Sequence, residues 1–135
     1  ERAPNIALKD IEDQPFNLYD LVGKKVVLAF WTTWCPSCSI EIDNLIAYNV
    51  SKDKDVEIIS INLTASDSLD AINDYMENKN IDFKVLMDTE NKIGDLYEIV
   101  YIPSLFVLDR NGVIVEKKTG TISEKMLKEI IDEIE

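Results

Sequence analysis

Cys35 and Cys38 are the only cysteines in the chain, set three residues apart in Trp34-Cys35-Pro36-Ser37-Cys38. Two thiols at this spacing can interconvert between a dithiol and a disulfide, provided the backbone between them is helical. Three residues along a helix bring both sulfurs to one face, within bonding reach. A loop this short adds little as a structural staple. Zinc binding would require two further Cys or His ligands, and the chain has no histidine. The missing imidazole also excludes Ser-His and Cys-His nucleophiles. Haem attachment needs a histidine directly after the second cysteine, where Ser39 stands. The remaining chemistry is thiol–disulfide exchange. A thiolate attacks a disulfide sulfur, and a second thiol resolves the mixed disulfide.

That chemistry depends on where the chain puts Cys35. Lys25 to Trp31 is a continuous apolar, β-type run, the pattern of a central strand buried on both faces. A helix is predicted from about Pro36, because proline suits a first turn whose N–H would go unpaired anyway. Ile42, Leu45, Ile46 and Asn49 follow at helical spacing. Cys35 therefore falls at a strand-to-helix junction, where free N–H groups and the helix dipole favour a thiolate, and Cys38 lies one turn further in.

Around this junction, a short hairpin is predicted near Gln14-Pro15-Phe16-Asn17, and a helical turn from Asn17 ending at Gly23. Val56 to Leu63 reads as a second buried strand. Ser68 to Asn78 reads as a helix with Leu69, Ile72 and Met76 on one face. Phe83 to Met87 is a short strand. Thr89 is the expected cap of a third helix carrying Ile93, Leu96, Tyr97 and Val100. Ser104 to Leu108 and Val113 to Lys117 form a hairpin across Asp109-Arg110-Asn111-Gly112. A Thr121/Glu124 capping box opens the last helix, with Leu127, Ile130, Ile131 and Ile134 as its buried stripe. This alternation predicts a single α/β domain over residues 1–135, with a mixed sheet of parallel crossovers followed by an antiparallel hairpin.

Fourteen Lys and Arg against 26 Asp and Glu give a net charge of −12, which argues against nucleic acid and anionic membrane surfaces as partners. The longest apolar run, Val26 to Trp31, is far short of the roughly 20 residues that span a bilayer.

The segment Phe30-Trp31-Thr32-Thr33-Trp34-Cys35-Pro36-Ser37-Cys38 resembles the active-site segment of the thioredoxin superfamily. More narrowly, the chain is similar to the TlpA/ResA-like branch of extracytoplasmic, membrane-anchored thiol–disulfide oxidoreductases. Ala3-Pro4 with the N-terminal hairpin, the helix–strand insertion at about 66–87, and Tyr101-Ile102-Pro103-Ser104 extend the match over nearly the whole chain. The resemblance implies a thioredoxin fold: a central mixed β-sheet flanked by helices, plus the hairpin and the insertion. It implies a cis peptide bond before Pro103 and a loop facing the cysteines, with Ile102 pairing its backbone to the bound substrate chain. Trp34 matches the tryptophan that shields the active site, and Pro36 completes the substrate-facing surface. Trp31 is expected in the core. The five tyrosines are expected as packing residues, with Tyr101 as a candidate for the substrate groove.

Ordinary thioredoxins carry a buried Asp six residues before the first cysteine, where this chain has Ala29. The ResA-like proteins instead carry a Glu three residues after the second cysteine, and Glu41 matches it. At that spacing Glu41 shares a helix face with Cys38. A partly buried carboxylate there would have a raised pKa and could move the proton of Cys38. The family more often has Glu-Pro or Pro-Pro between its cysteines. Pro36-Ser37 supplies no cation for the Cys35 thiolate, which argues against a strongly oxidising enzyme of the DsbA type.

The resemblance further implies a disulfide-containing protein substrate such as apocytochrome c, and a membrane redox partner that re-reduces the pair. It implies an extracytoplasmic location with an N-terminal tether lying outside this chain. A monomer without cofactor or metal is expected. A thiol peroxidase of the peroxiredoxin kind is the enzymatic alternative. Thr32 stands three residues before Cys35 as a peroxidatic site requires, but Leu28 replaces the expected proline. The only arginines are Arg2 and Arg110, at the terminus and in a hairpin turn. A copper carrier would need C-x3-C plus a histidine. A redox-inert binding module would not be expected to combine both cysteines with Glu41 and Pro103.

Overall fold

In the computed structural model, which describes residues 1–135, the apolar runs become the strands of a five-stranded sheet. Ala7–Lys9 (β1) and Pro15–Asn17 (β2) pair antiparallel as a separate hairpin, followed by a 3-10 turn at Leu18–Leu21. The main elements are Lys25–Trp31 (β3), Pro36–Ser51 (α1), Val56–Asn62 (β4), Leu69–Lys79 (α2) and Lys84–Met87 (β5). Then come Lys92–Leu96 (α3), Ser104–Leu108 (β6), Ile114–Thr119 (β7) and Glu124–Asp132 (α4).

The sheet order is β5-β4-β3-β6-β7. β3 pairs parallel with β4, and β4 with β5, while β6 runs antiparallel to both β3 and β7. All seven residues of β3 are buried because helices or loops cover both faces of the strand. Its side chains divide with period two. Val27, Ala29 and Trp31 join one core with Cys38, Ile42 and Leu45 of α1 and Leu127 and Ile131 of α4. Val26, Leu28 and Phe30 join the other, with Ile6, Leu18, Ile93 and Tyr97. In this second core, Phe30 meets Tyr97 and Phe106 at centroid distances of 5.5 and 5.9 Å. The two layers clamp β3, so its C-terminal end, where the redox segment begins, is held from both sides.

Three expectations about helix ends are corrected. α4 is capped by Ser123, whose Oγ accepts from Met126 N at 3.1 Å, and not by Thr121. The helix begins two residues later than a Thr121 cap requires, which leaves Thr121 exposed in the preceding loop. Thr89 does not cap the third helix either. Buried Asp88 accepts from Ile93 N (3.1 Å) and Gly94 N (2.8 Å) instead, giving partners to two orphan donors of the first turn. α3 is also shorter than expected, because Glu98 takes a left-handed conformation (φ 54°) that ends helical backbone. Leu96 and Val100 are consequently exposed rather than part of a buried stripe. In α2, Ile72 is fully buried but Leu69 is exposed.

β7 starts one residue later than expected and runs on through Thr119. It is an edge strand whose exposure alternates, with Val115, Lys117 and Thr119 exposed and Ile114, Glu116 and Lys118 half-buried, and it pairs with β6 with a register irregularity near Val107 and Leu108.

Candidate active site

Cys35 occupies the N-cap of α1, and Pro36 and Ser37 form the first helical positions. Cys35 and Cys38 are joined as a disulfide with their Cα atoms 5.2 Å apart. Cys38 N donates to Cys35 Sγ at 3.1 Å, so an orphan amide of the first turn points at the outer sulfur. Cys38 is wholly enclosed, whereas Cys35 keeps 6% of its surface. The asymmetry between an outer and an inner sulfur therefore follows from helix geometry.

The loop from Tyr101 to Pro103 lies opposite. The Ile102–Pro103 peptide bond is cis, and the Ile102 carbonyl oxygen stands 3.9 Å from Cys35 Sγ. Pro103 is buried and Ile102 half-buried. Tyr101 is 70% exposed on the rim of this loop, contrary to a packing role, and Tyr19 is also exposed. Tyr48 and Tyr97 are buried, and Tyr75 stacks on core Trp31 at 5.1 Å. Trp34 is 61% exposed, with its indole N–H donating to the Ser66 carbonyl at 2.7 Å. Pro36 is exposed beside it.

Glu41 lies one turn beyond Cys38 on the buried side of α1, with 1% of its surface exposed. Its Oε1 accepts from Ile122 N at 3.0 Å, and Oε2 has no protein partner. Burial pushes its carboxyl up to about 7; the Ile122 N–H and the Lys118 charge pull the other way and only partly offset it. A carboxyl in this state exchanges a proton near neutrality.

Two contributors carry no mark in the sequence. Ile122, which anchors Glu41, lies 81 residues away and acts through its backbone, so no residue type signals it. Asp67 accepts from Thr33 N and Thr33 Oγ1, both at 2.7 Å, tying the residues before Cys35 to the start of the insertion. The peroxidatic constellation is not assembled. Thr32 Oγ1 is buried without a partner. Arg2 lies over the Tyr19 ring, and Arg110 binds Asp55 and the Gly23 and Glu135 carbonyls.

A central mixed sheet, a helix opening on a Cys-x-x-Cys disulfide and a cis-proline loop facing it define a thiol–disulfide oxidoreductase of the thioredoxin fold. Similarity to known proteins narrows the class. Residues 1–117 match the AhpC/TSA family model, and the chain belongs to that family, within its ResA-like thiol–disulfide oxidoreductases. It is 33% identical to the thiol-disulfide oxidoreductase ResA of Bacillus subtilis over 96% of this chain and 72% of the relative. The crystal structure of StoA from Bacillus subtilis superposes with a TM-score of 0.84 at 26% identity, covering 95% of this chain and 96% of that one. A secreted Mycobacterium tuberculosis disulfide oxidoreductase, described as homologous to Escherichia coli DsbE, gives a TM-score of 0.82 at 25% identity, covering 94% of each chain.

Proposed function

We propose that this protein acts as a single monomeric domain that reduces disulfides in extracytoplasmic protein substrates, of which apocytochrome c is the type. The disulfide at the N-cap of α1, with a buried carboxyl one turn behind it, is the observation that carries this reading. In the reduced enzyme, the Cys35 thiolate attacks one sulfur of the substrate disulfide. That S–S bond breaks, a mixed disulfide forms, and the first substrate sulfur leaves as a thiolate. Cys38 then gives its proton to Glu41 and attacks Cys35 Sγ, closing the Cys35–Cys38 bond and releasing the second substrate thiolate. The substrate has gained two electrons and the enzyme is oxidised. A membrane dithiol partner returns it to the working state, and a tether outside this chain keeps it near that partner.

The substrate chain lies against the Ile102–Pro103 backbone, flanked by Trp34 and Pro36. The Ile102 carbonyl 3.9 Å from Cys35 Sγ and the exposed Trp34 indole next to Cys35 in the chain support this. Similarity to a secreted oxidoreductase supports the location. Trapping tests the reading. A Cys38→Ala variant expressed in the native host should accumulate mixed disulfides through Cys35 with exported proteins, identifiable by mass spectrometry. Capture of cytosolic partners alone would sink it.

A further inference from the structure

Asp67 follows the 3-10 turn Thr64–Ser66, just before Ser68 caps α2. Its carboxylate receives four hydrogen bonds. Oδ1 accepts from Thr33 Oγ1 (2.7 Å) and Ser68 N (2.9 Å), and Oδ2 from Thr33 N (2.7 Å) and Asn62 Nδ2 (3.1 Å). Asn62 is fully buried, and its own carbonyl oxygen accepts from Thr64 Oγ1 at 3.0 Å. One residue earlier, the Ser66 carbonyl holds the Trp34 indole, and Leu63 N donates to the Trp31 carbonyl at 3.0 Å. Trp31, Thr33 and Trp34, all within the stretch that leads into Cys35, are therefore each hydrogen-bonded to the segment that opens the insertion.

We propose that Asp67 is a positioning residue for the redox reaction: by locking Thr33 to the insertion it fixes Cys35 at the N-cap of α1, where the Cys38 amide meets its sulfur. The reading rests on Cys35 being the attacking thiol.

Donor chemistry makes the residue type specific. All four partners offer hydrogens, and an ionised carboxylate accepts at both oxygens and donates nowhere. Burial pushes the Asp67 carboxyl up, and the bonds from Thr33, Asn62 and Ser68 outweigh it, holding the carboxyl below its ordinary value. In Asp67→Asn the amide must place an NH2 against either Ser68 N–H or the Thr33 and Asn62 N–H groups, so part of the lock is lost in either orientation. The consequence for chemistry follows from geometry. Cys35 directly follows the locked pair and stands between the Cys38 amide at 3.1 Å and the Ile102 carbonyl at 3.9 Å. A loop free to shift spends less time with its sulfur on the helix terminus, and a thiolate away from that terminus is less favoured.

The test compares the parent with Asp67→Asn, Thr33→Val and Thr33→Ser, following iodoacetamide alkylation of the reduced proteins across pH and mapping the labelled cysteine by mass spectrometry. Thr33→Val removes the hydroxyl donor while leaving the charge of Asp67 and the volume of the side chain in place, so it separates locking from electrostatics. Losing a hydrogen bond of typical strength should slow alkylation of Cys35 at neutral pH roughly three- to tenfold in Thr33→Val and move its pH profile upward. Thr33→Ser, which keeps the hydroxyl, should restore the parent profile. Urea denaturation monitors folding separately. Should Asp67→Asn fold poorly, Thr33→Val decides alone. A Thr33→Val profile equal to the parent's, with the label on Cys35, would overturn the positioning role and leave Cys35 as nucleophile. A label on Cys38 would overturn both.

Discussion

Replacing Glu41 by Gln probes both the energetics and the chemistry of the site. The carboxyl stands at about 7, against an ordinary value of 4.5, chiefly because it is buried. That difference corresponds to about 3 kcal/mol of preference for the neutral form. In the unfolded chain the group ionises near 4.5; in the folded protein it resists until about 7. Below the unfolded value both states hold the proton and the group has no pH-dependent effect. As pH rises from 4.5 towards 7, the unfolded state alone gives up its proton, and stability falls by up to about 3 kcal/mol above that window. Glu41→Gln is neutral throughout and keeps an oxygen for Ile122 N. Urea denaturation of the oxidised proteins should therefore find parent and variant similar at pH 4 and the variant more stable at pH 8. Activity should move the opposite way. Without a proton acceptor one turn from Cys38, reduction of a disulfide substrate should slow by roughly 10²–10⁴-fold, the usual value of general acid–base participation. The parent's rate should rise as Glu41 ionises near pH 7 and that rise should be absent in the variant, and the thiol titrations, no longer coupled to a neighbouring carboxylate, should move down. Equal pH dependence of stability together with equal rates in the two proteins would refute the reasoning, reducing Glu41 to a buried acid without function.

Three further outcomes are expected. Alkylation of the reduced parent near neutral pH should label Cys35 ahead of Cys38, because one sulfur retains exposed surface and the other is enclosed; peptide mapping reads this directly. Equilibration with glutathione or dithiothreitol buffers should give a potential of roughly −210 to −280 mV, since Pro36-Ser37 supplies no cation; a value near −120 mV would indicate an oxidase. Ser123→Ala should cost about 1 kcal/mol by urea denaturation through loss of the Met126 cap, whereas Thr121→Ala should change stability by no more than about 0.5 kcal/mol.

The redox pair, its place at a strand-to-helix junction and the mixed sheet were legible in the sequence, because each depends on local pattern. An unbroken apolar run reads as a doubly covered strand, and two cysteines without histidine leave little chemistry but exchange. Glu41 was legible as a candidate through its helical spacing from Cys38. Its raised pKa was legible too, from burial at that spacing, but its partner was not, because only the loop before α4 brings Ile122 N against one oxygen and leaves the other without a protein partner. Thr121 and Thr89 fit the sequence pattern of a cap but do not cap their helices. Several nearby residues can cap a helix equally well in sequence, and packing of the apolar stripe selects where the first turn begins. Asp67 was invisible for a related reason. One acid among 26 carries no mark of its role, and only the approach of β3 to the turn after β4 puts Thr33, Asn62 and Ser68 around it. Local pattern thus determined which residues could react, while long-range backbone contacts decided which polar groups lost water and which found partners.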